Sequence, residues 1–159
     1  MRPYPITRST VLALALLLSS SLPALAAPRT SNGGANLNPI QGSRVHARVE
    51  LFDSGNAVDG LQIRGSATGL EPGTVYISLV YDAGSIPGGP DACLPSDNDN
   101  LSPEQMFVGT WVVDSAGNGS LSAIKTGSSY APLRDIGAMS MRIAIDRSLQ
   151  ACGRVHTTR

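Results

Sequence analysis

The chain has 159 residues, twelve basic against twelve acidic side chains, and 4% aromatic residues. This balance argues against a nucleic-acid partner, which asks for a basic surface interleaved with aromatic rings. With so few aromatics, the core has to be built from Val, Ile, Leu and Ala.

Residues 1–26 read as a secretory signal peptide. Arg2 and Arg8 form a positive start, an apolar run from Val11 to Leu18 follows, and Ala24-Leu25-Ala26 supplies the small residues that signal peptidase requires. The apolar run is shorter than the ~20 residues of a membrane span, so no transmembrane helix is expected after cleavage. The expected location is the periplasm or the medium. Without Arg2 and Arg8 the mature chain carries ten basic and twelve acidic residues, a net charge of −2. Its two cysteines, Cys93 and Cys152, form an even pair in an oxidising compartment. A disulfide is the default expectation, and two buried thiols or a reactive site are the alternative.

Residues 27–43 are rich in Pro, Asn, Ser and Gly without an apolar period, and read as a flexible leader. The folded domain is then 44–156, with a short tail at 157–159. Val45, Ala47, Val49 and Leu51 alternate with His46, Arg48, Glu50 and Phe52, which predicts a first strand. Residues 61–68 give a second, with Gly65 marking a bulge or a close backbone approach. Glu71-Pro72-Gly73 is a turn in which Gly takes positive φ. The strand that follows is apolar on both faces: Val75, Ile77, Leu79 and Tyr81 on one, Tyr76, Ser78 and Val80 on the other. Such a strand needs cover on both sides. Residues 84–103 form a long loop with Cys93 within it. Strands are expected at 106–114 and 120–125, around a Gly/Asn hairpin turn, then a short helical turn within 130–136. Met139, Met141, Ile143 and Ile145 mark another strand, and 151–156 the last. Seven or eight short strands with Gly/Pro turns predict an all-β Greek-key barrel or sandwich.

Few of these residues promise chemistry. His46 lies on the polar face of its strand and His156 in a charged tail, and two ligands are too few for a structural metal site. Asp97, Asp99 and Glu104 have the spacing of oxygen ligands, but the Gly and terminal acid of a calcium-binding loop are missing. They mark a candidate binding loop. Ser78 has no base beside it in sequence to activate it. Tyr76, Tyr81, Trp111 and Tyr130 read as packing rather than as an aromatic platform.

Several segments resemble the copper/zinc superoxide dismutases. Gly69-Leu70-Glu71-Pro72-Gly73 is similar to that family's "G-L-x-P-G" turn. Phe107-Val108-Gly109-Thr110, with Asp114 and Gly117-Asn118-Gly119, resembles "H-V-G-D-L … D-x-x-G". Pro132-Leu133-Arg134-Asp135-Ile136-Gly137 is similar to "S-L-x-x-I-x-G-R", and Ala151-Cys152-Gly153-Arg154-Val155 to "A-C-G-V-I". The resemblance covers roughly 45–155 and implies an eight-stranded Greek-key barrel. It also implies that Cys152 pairs with Cys93.

The departures bear on function. Where the family carries H-V-H, this chain has Leu79-Val80-Tyr81. The later His is Phe107, the Asp ligand is Thr110, and the late-strand His falls among Arg142, Ile143 and Ala144. The Arg three residues before the last Cys is replaced by Leu149, with Arg147 five before. Leu79, Tyr81, Phe107, Thr110 and Ile143 are therefore the degenerate site positions. Copper and zinc sites of this kind need imidazole and carboxylate ligands, and none stands at these positions. The expectation is an exported, non-catalytic module that binds a protein or envelope component, with no catalytic residue, no metal ligand and no cofactor. The alternative is a divergent metal-binding oxidoreductase with other ligands, in which copper or zinc would be the cofactor.

Overall fold

The computed structural model describes residues 32–40, 42–84, 93 and 100–158. The expected signal peptide and most of the 84–103 loop, Asp97 and Asp99 included, lie outside the described residues. Nine antiparallel strands form one sheet that curls into a nearly closed barrel. They are β1 (Gly33–Pro39), β2 (His46–Asp53), β3 (Leu61–Thr68), β4 (Tyr76–Asp82), β5 (Phe107–Thr110), β6 (Val112–Val113), β7 (Gly119–Lys125), β8 (Ile136–Ile143) and β9 (Leu149–Thr157). The order across the sheet is β5-β4-β8-β9-β1-β2-β3-β7-β6. A four-residue helix α1 (Pro103–Met106) precedes β5, and two short 3₁₀ turns lie before β8.

Three expectations need correction. Ile145, expected in one strand with Met139, Met141 and Ile143, lies in the turn after β8 and is 94% exposed. Residues 33–39, placed in the flexible leader, form β1, hydrogen-bonded to β2 on one side and β9 on the other. Gly33, Ala35 and Leu37 turn inward from it, too little apolar side chain to raise a period, so the strand owes its existence to its two neighbours. The strand expected at 106–114 is two strands. Met106 ends α1, whose N-terminus is closed by a capping box between Ser102 and Gln105. Trp111 then separates β5, at one sheet edge, from β6, at the other. The chain therefore steps across the seam at Trp111, whose amide donates to Tyr76 O at 2.9 Å.

The alternation of the strands fills the interior. Leu37, Val49, Leu51, Leu61, Ile63, Val80, Met139 and Met141 are all essentially inaccessible, each worth about 1.5–3 kcal/mol relative to exposure. Trp111 fills the space left by a glycine: a Cβ on Gly65 would lie 2.6 Å from its ring. Its indole N–H donates to the buried Ser78 hydroxyl at 2.8 Å, so the polar tip of a core aromatic is satisfied. The Glu71-Pro72-Gly73 turn has its expected form, with Gly73 at φ 86° and Thr74 N donating to Glu71 O at 3.1 Å. The turn between β6 and β7 is held by Asp114, whose carboxylate accepts from the amides of Ala116 and Asn118 at 2.9 and 2.8 Å.

Polar ties hold the ends of the barrel. Lys125 is buried, and its ammonium donates to Glu104 O at 2.7 Å and to Phe107 O, which fixes α1 and β5 against β7. Burial pulls its pKa down to about 8. At the end of β2, Asp53 accepts from the Tyr130 hydroxyl at 2.9 Å and from Leu133 N at 2.8 Å. Burial, reinforced by the hydrogen bond and charge of Asp53, pushes the Tyr130 phenol up to about 12.

Candidate functional site beneath the disulfide

The interior of β4 is lined by Tyr76, Ser78 and Val80, and its outer side by Leu79 and Tyr81. Beside it, β8 turns Met139 and Met141 inward and leaves Ala138, Ser140 and Arg142 outside. Tyr81 pairs with Ala138, and Leu79 with both Ser140 and Phe107. Over this outer surface lies Cys93, joined to Cys152 of β9 by a disulfide with a Cα–Cα distance of 5.8 Å. Its sulfur, which has no proton to donate in this state, sits 3.2 Å from Met139 O. Tyr81, Cys93 and Ala138 form a second buried cluster outside the barrel, flanked by Leu79, Met106, Leu149 and Cys152.

A polar cluster fills the centre of this layer. The Tyr81 and Ser140 hydroxyls are 2.9 Å apart, and either can donate. Arg142 donates from Nε to the Tyr81 oxygen at 3.2 Å, from Nη2 to Cys93 O at 2.9 Å and from Nη1 to Arg147 O at 2.7 Å. Its guanidinium thus ties the β8–β9 turn and the half-cystine to the sheet. Arg147 reaches this position with φ at 58°, a conformation uncommon for a residue with a side chain.

The degenerate positions do not all share one surface. Leu79, Tyr81 and Phe107 do, although Phe107 is 45% exposed at its edge. Thr110 is exposed and paired with Ile77. Ile143 packs against the barrel core instead, and its neighbour Arg142 takes the outward place. Ser140 is the member that sequence reasoning missed, and Arg142 is named there only beside Ile143, the position chosen over it. The signal was present, since Ser140 and Arg142 alternate with the apolar Met139, Met141 and Ile143.

The rim of this layer is anchored by Asp82. Its carboxylate accepts from Gly84 N at 2.9 Å and from the Asn100 side chain and amide, so both ends of the loop meet at one residue. The Gly84 amide, followed by the Asn100 side chain, holds its pKa below the usual carboxylate value. Glu104 stands exposed on α1 and accepts from the Ser128 hydroxyl at 3.0 Å.

The remaining candidates are dispersed. Ser78 is fully buried with the Trp111 indole. Tyr76 and Trp111 are inside the barrel, Tyr81 is outside it and Tyr130 is near its base, so they form no common platform. His46 and His156 are exposed on the opposite outer surface. Among the described residues, no three His, Cys, Asp or Glu side chains converge as a metal site. The residues beneath the disulfide supply a phenol, an alcohol, a guanidinium and hydrocarbon, a donor set that does not suit copper or zinc. No helix among the described residues is long and apolar enough to cross a membrane. No protein-family model matches the chain, and no curated protein matches it.

Proposed function

We propose that the chain is an exported β-barrel of the copper/zinc superoxide dismutase-like type that acts without catalysis, as a binding or structural module of the cell envelope or medium. The observation that carries this reading is the Tyr81–Ser140–Arg142 cluster. It occupies the surface where the resembled family gathers imidazoles, and the hydrogen bonds of its members are directed at one another and at backbone carbonyls. A copper/zinc site of the resembled kind needs imidazole nitrogens and a carboxylate, and in their place stand a phenol, an alcohol and a guanidinium that offers only donors.

The strand order supports the fold part of the proposal. Counted as one bent strand, β5 and β6 leave eight strands, and the β3–β4 and β7–β8 connections cross over rather than join neighbours, as in a Greek key. The pairing of Cys93 with Cys152 also agrees with the resemblance. Metal analysis of the purified protein, together with a superoxide-consumption assay, tests the functional part. The expected result is copper and zinc far below one per chain and no consumption above background. Stoichiometric copper or zinc, or turnover of superoxide, would overturn it.

A further inference from the structure

The barrel carries a second notable surface, on the outer side of β9, β1, β2 and β3. Here β1 presents only Gly34, Asn36 and Asn38 between the longer residues of its neighbours. Short side chains between long ones leave a shallow trough along the strand. One depression of about 380 Å³ is bordered by Asn36, Asn38, His46 and Ser66. A second of about 320 Å³ is bordered by Gly34, Glu50 and His156. A third of about 190 Å³ reaches Arg64. Arg48 borders all three. From Gly34 to Asn38 the trough runs about 13 Å, at ~3.3 Å per residue.

The charge of this face departs from that of the chain. Arg48, Arg64 and Arg154 stand on it against Glu50, whereas the other described acids lie in turns, in loops, at strand ends or, for Glu104, on α1. The Arg48–Glu50 contact is loose, at 3.8 Å, with the Arg48 side chain 74% exposed. Arg64 lies over the Phe52 ring, 5.6 Å from its centroid, and Phe52 is itself 9% exposed. The Phe52 ring is therefore covered by the Arg64 guanidinium and not presented for stacking on a base or a neutral sugar. Between the cations are the amides and hydroxyls of Asn36, Asn38, Ser66 and Thr68. Such a mixture suits a ligand that carries both carboxylates and hydroxyls.

We propose that the trough along β1 binds an acidic, uronate-bearing polysaccharide, with carboxylates against Arg48 and Arg64 and sugar hydroxyls against Asn36, Asn38 and Ser66. The proposal rests on the reading of the chain as an exported binding module, and names its partner. The test is titration of the purified protein with polygalacturonate at low and at physiological salt. Neutral dextran, single-stranded DNA and phosphatidylglycerol vesicles form the comparison arms.

Saturable binding of polygalacturonate alone is expected, and Arg48→Glu should weaken it by roughly tenfold or more. Arg134→Glu, with the same charge change at an exposed site outside the trough, should leave it intact. Ser66→Trp, which fills the trough without changing charge, should also weaken it. No binding, equal loss in the Arg48 and Arg134 variants, undiminished binding in both trough variants, or equally tight binding of DNA or vesicles would each overturn the proposal. Metal content measured on the same sample separates the two claims. A metal-free protein that ignores polygalacturonate sinks only the trough, and a stoichiometric metal sinks the non-catalytic reading whatever the titration gives.

Discussion

The outer sides of β4 and β1 belong to the same barrel and are finished differently. On β4 and its neighbour β8, the outward residues Leu79, Tyr81, Ala138 and Ser140 lie beside Cys93 and its disulfide to Cys152. On β1, β2 and β3, the outward residues Asn36, His46, Arg48 and Arg64 meet water directly. Side-chain chemistry accounts for the difference. The β4–β8 surface surrounds its hydrogen-bonded Tyr81–Ser140–Arg142 cluster with apolar residues and gains by being covered, at about 25 cal/mol per Å² of apolar area removed from water. The β1–β3 surface is polar and basic, and covering it with an apolar segment would leave its charged and amide groups without the hydrogen bonds that water supplies.

The comparison is broken most directly at the disulfide. Cys152→Ala opens a bridge between residues 59 apart in sequence and should lower unfolding stability by about 4 kcal/mol on loop-entropy grounds. An Arg48→Glu change on the open side should move it by no more than about 0.5 kcal/mol. Urea denaturation of the two variants checks both figures, and equal effects would mean that the covered side is no more tightly built than the open one.

A smaller effect is expected within the cluster. Tyr81→Phe removes the oxygen that accepts from Arg142 and leaves Ser140 short of a partner, which should cost about 1–3 kcal/mol. In a double-mutant cycle with Ser140→Ala, the two losses should couple, since each change removes the same hydrogen bond. Strict additivity would show that the two hydroxyls contribute separately.

The smallest expected effect is the pH dependence at the rim. The folded state holds the carboxylates of Asp82, Asp114 and Asp146 below their ordinary value of 3.8, in each case chiefly through hydrogen bonds to neighbouring amides or side chains. Their contribution is therefore in place above that pH and is lost as pH falls through the depressed folded values, because the unfolded chain takes up the protons first. The thermal midpoint should fall between pH 5 and pH 2.5, and Asp82→Asn should make the fall shallower. A midpoint insensitive to acid in this range would contradict the hydrogen-bonded anchoring of the covered side.

Much of this contrast was legible in the residues themselves. Strands β2, β3 and β7 announce themselves by alternation, and the two apolar faces of β4 signal that something must lie over its outer side. The even cysteine pair points to the staple. What stayed hidden depended on partners distant in sequence. Gly33-Gly34-Ala35 has little strand propensity of its own, and becomes β1 because β2 and β9 offer it hydrogen bonds on both edges. The split of 106–114 at Trp111 follows from the closure of the sheet, which no local pattern records. At the site, Leu79, Tyr81 and Phe107 were found through family-like spacing, whereas Ile143 was displaced by Arg142. Strand parity decides that exchange, since Ile143 shares the inward face of Met139 and Met141.

The chain's single tryptophan sits where it crosses from one sheet edge to the other, 3% exposed, against Gly65 and bonded to Ser78. Its fluorescence is consequently a native gauge of seam integrity: emission shifts to longer wavelength when the barrel parts there, while events on either outer surface leave the dye-free signal largely unmoved.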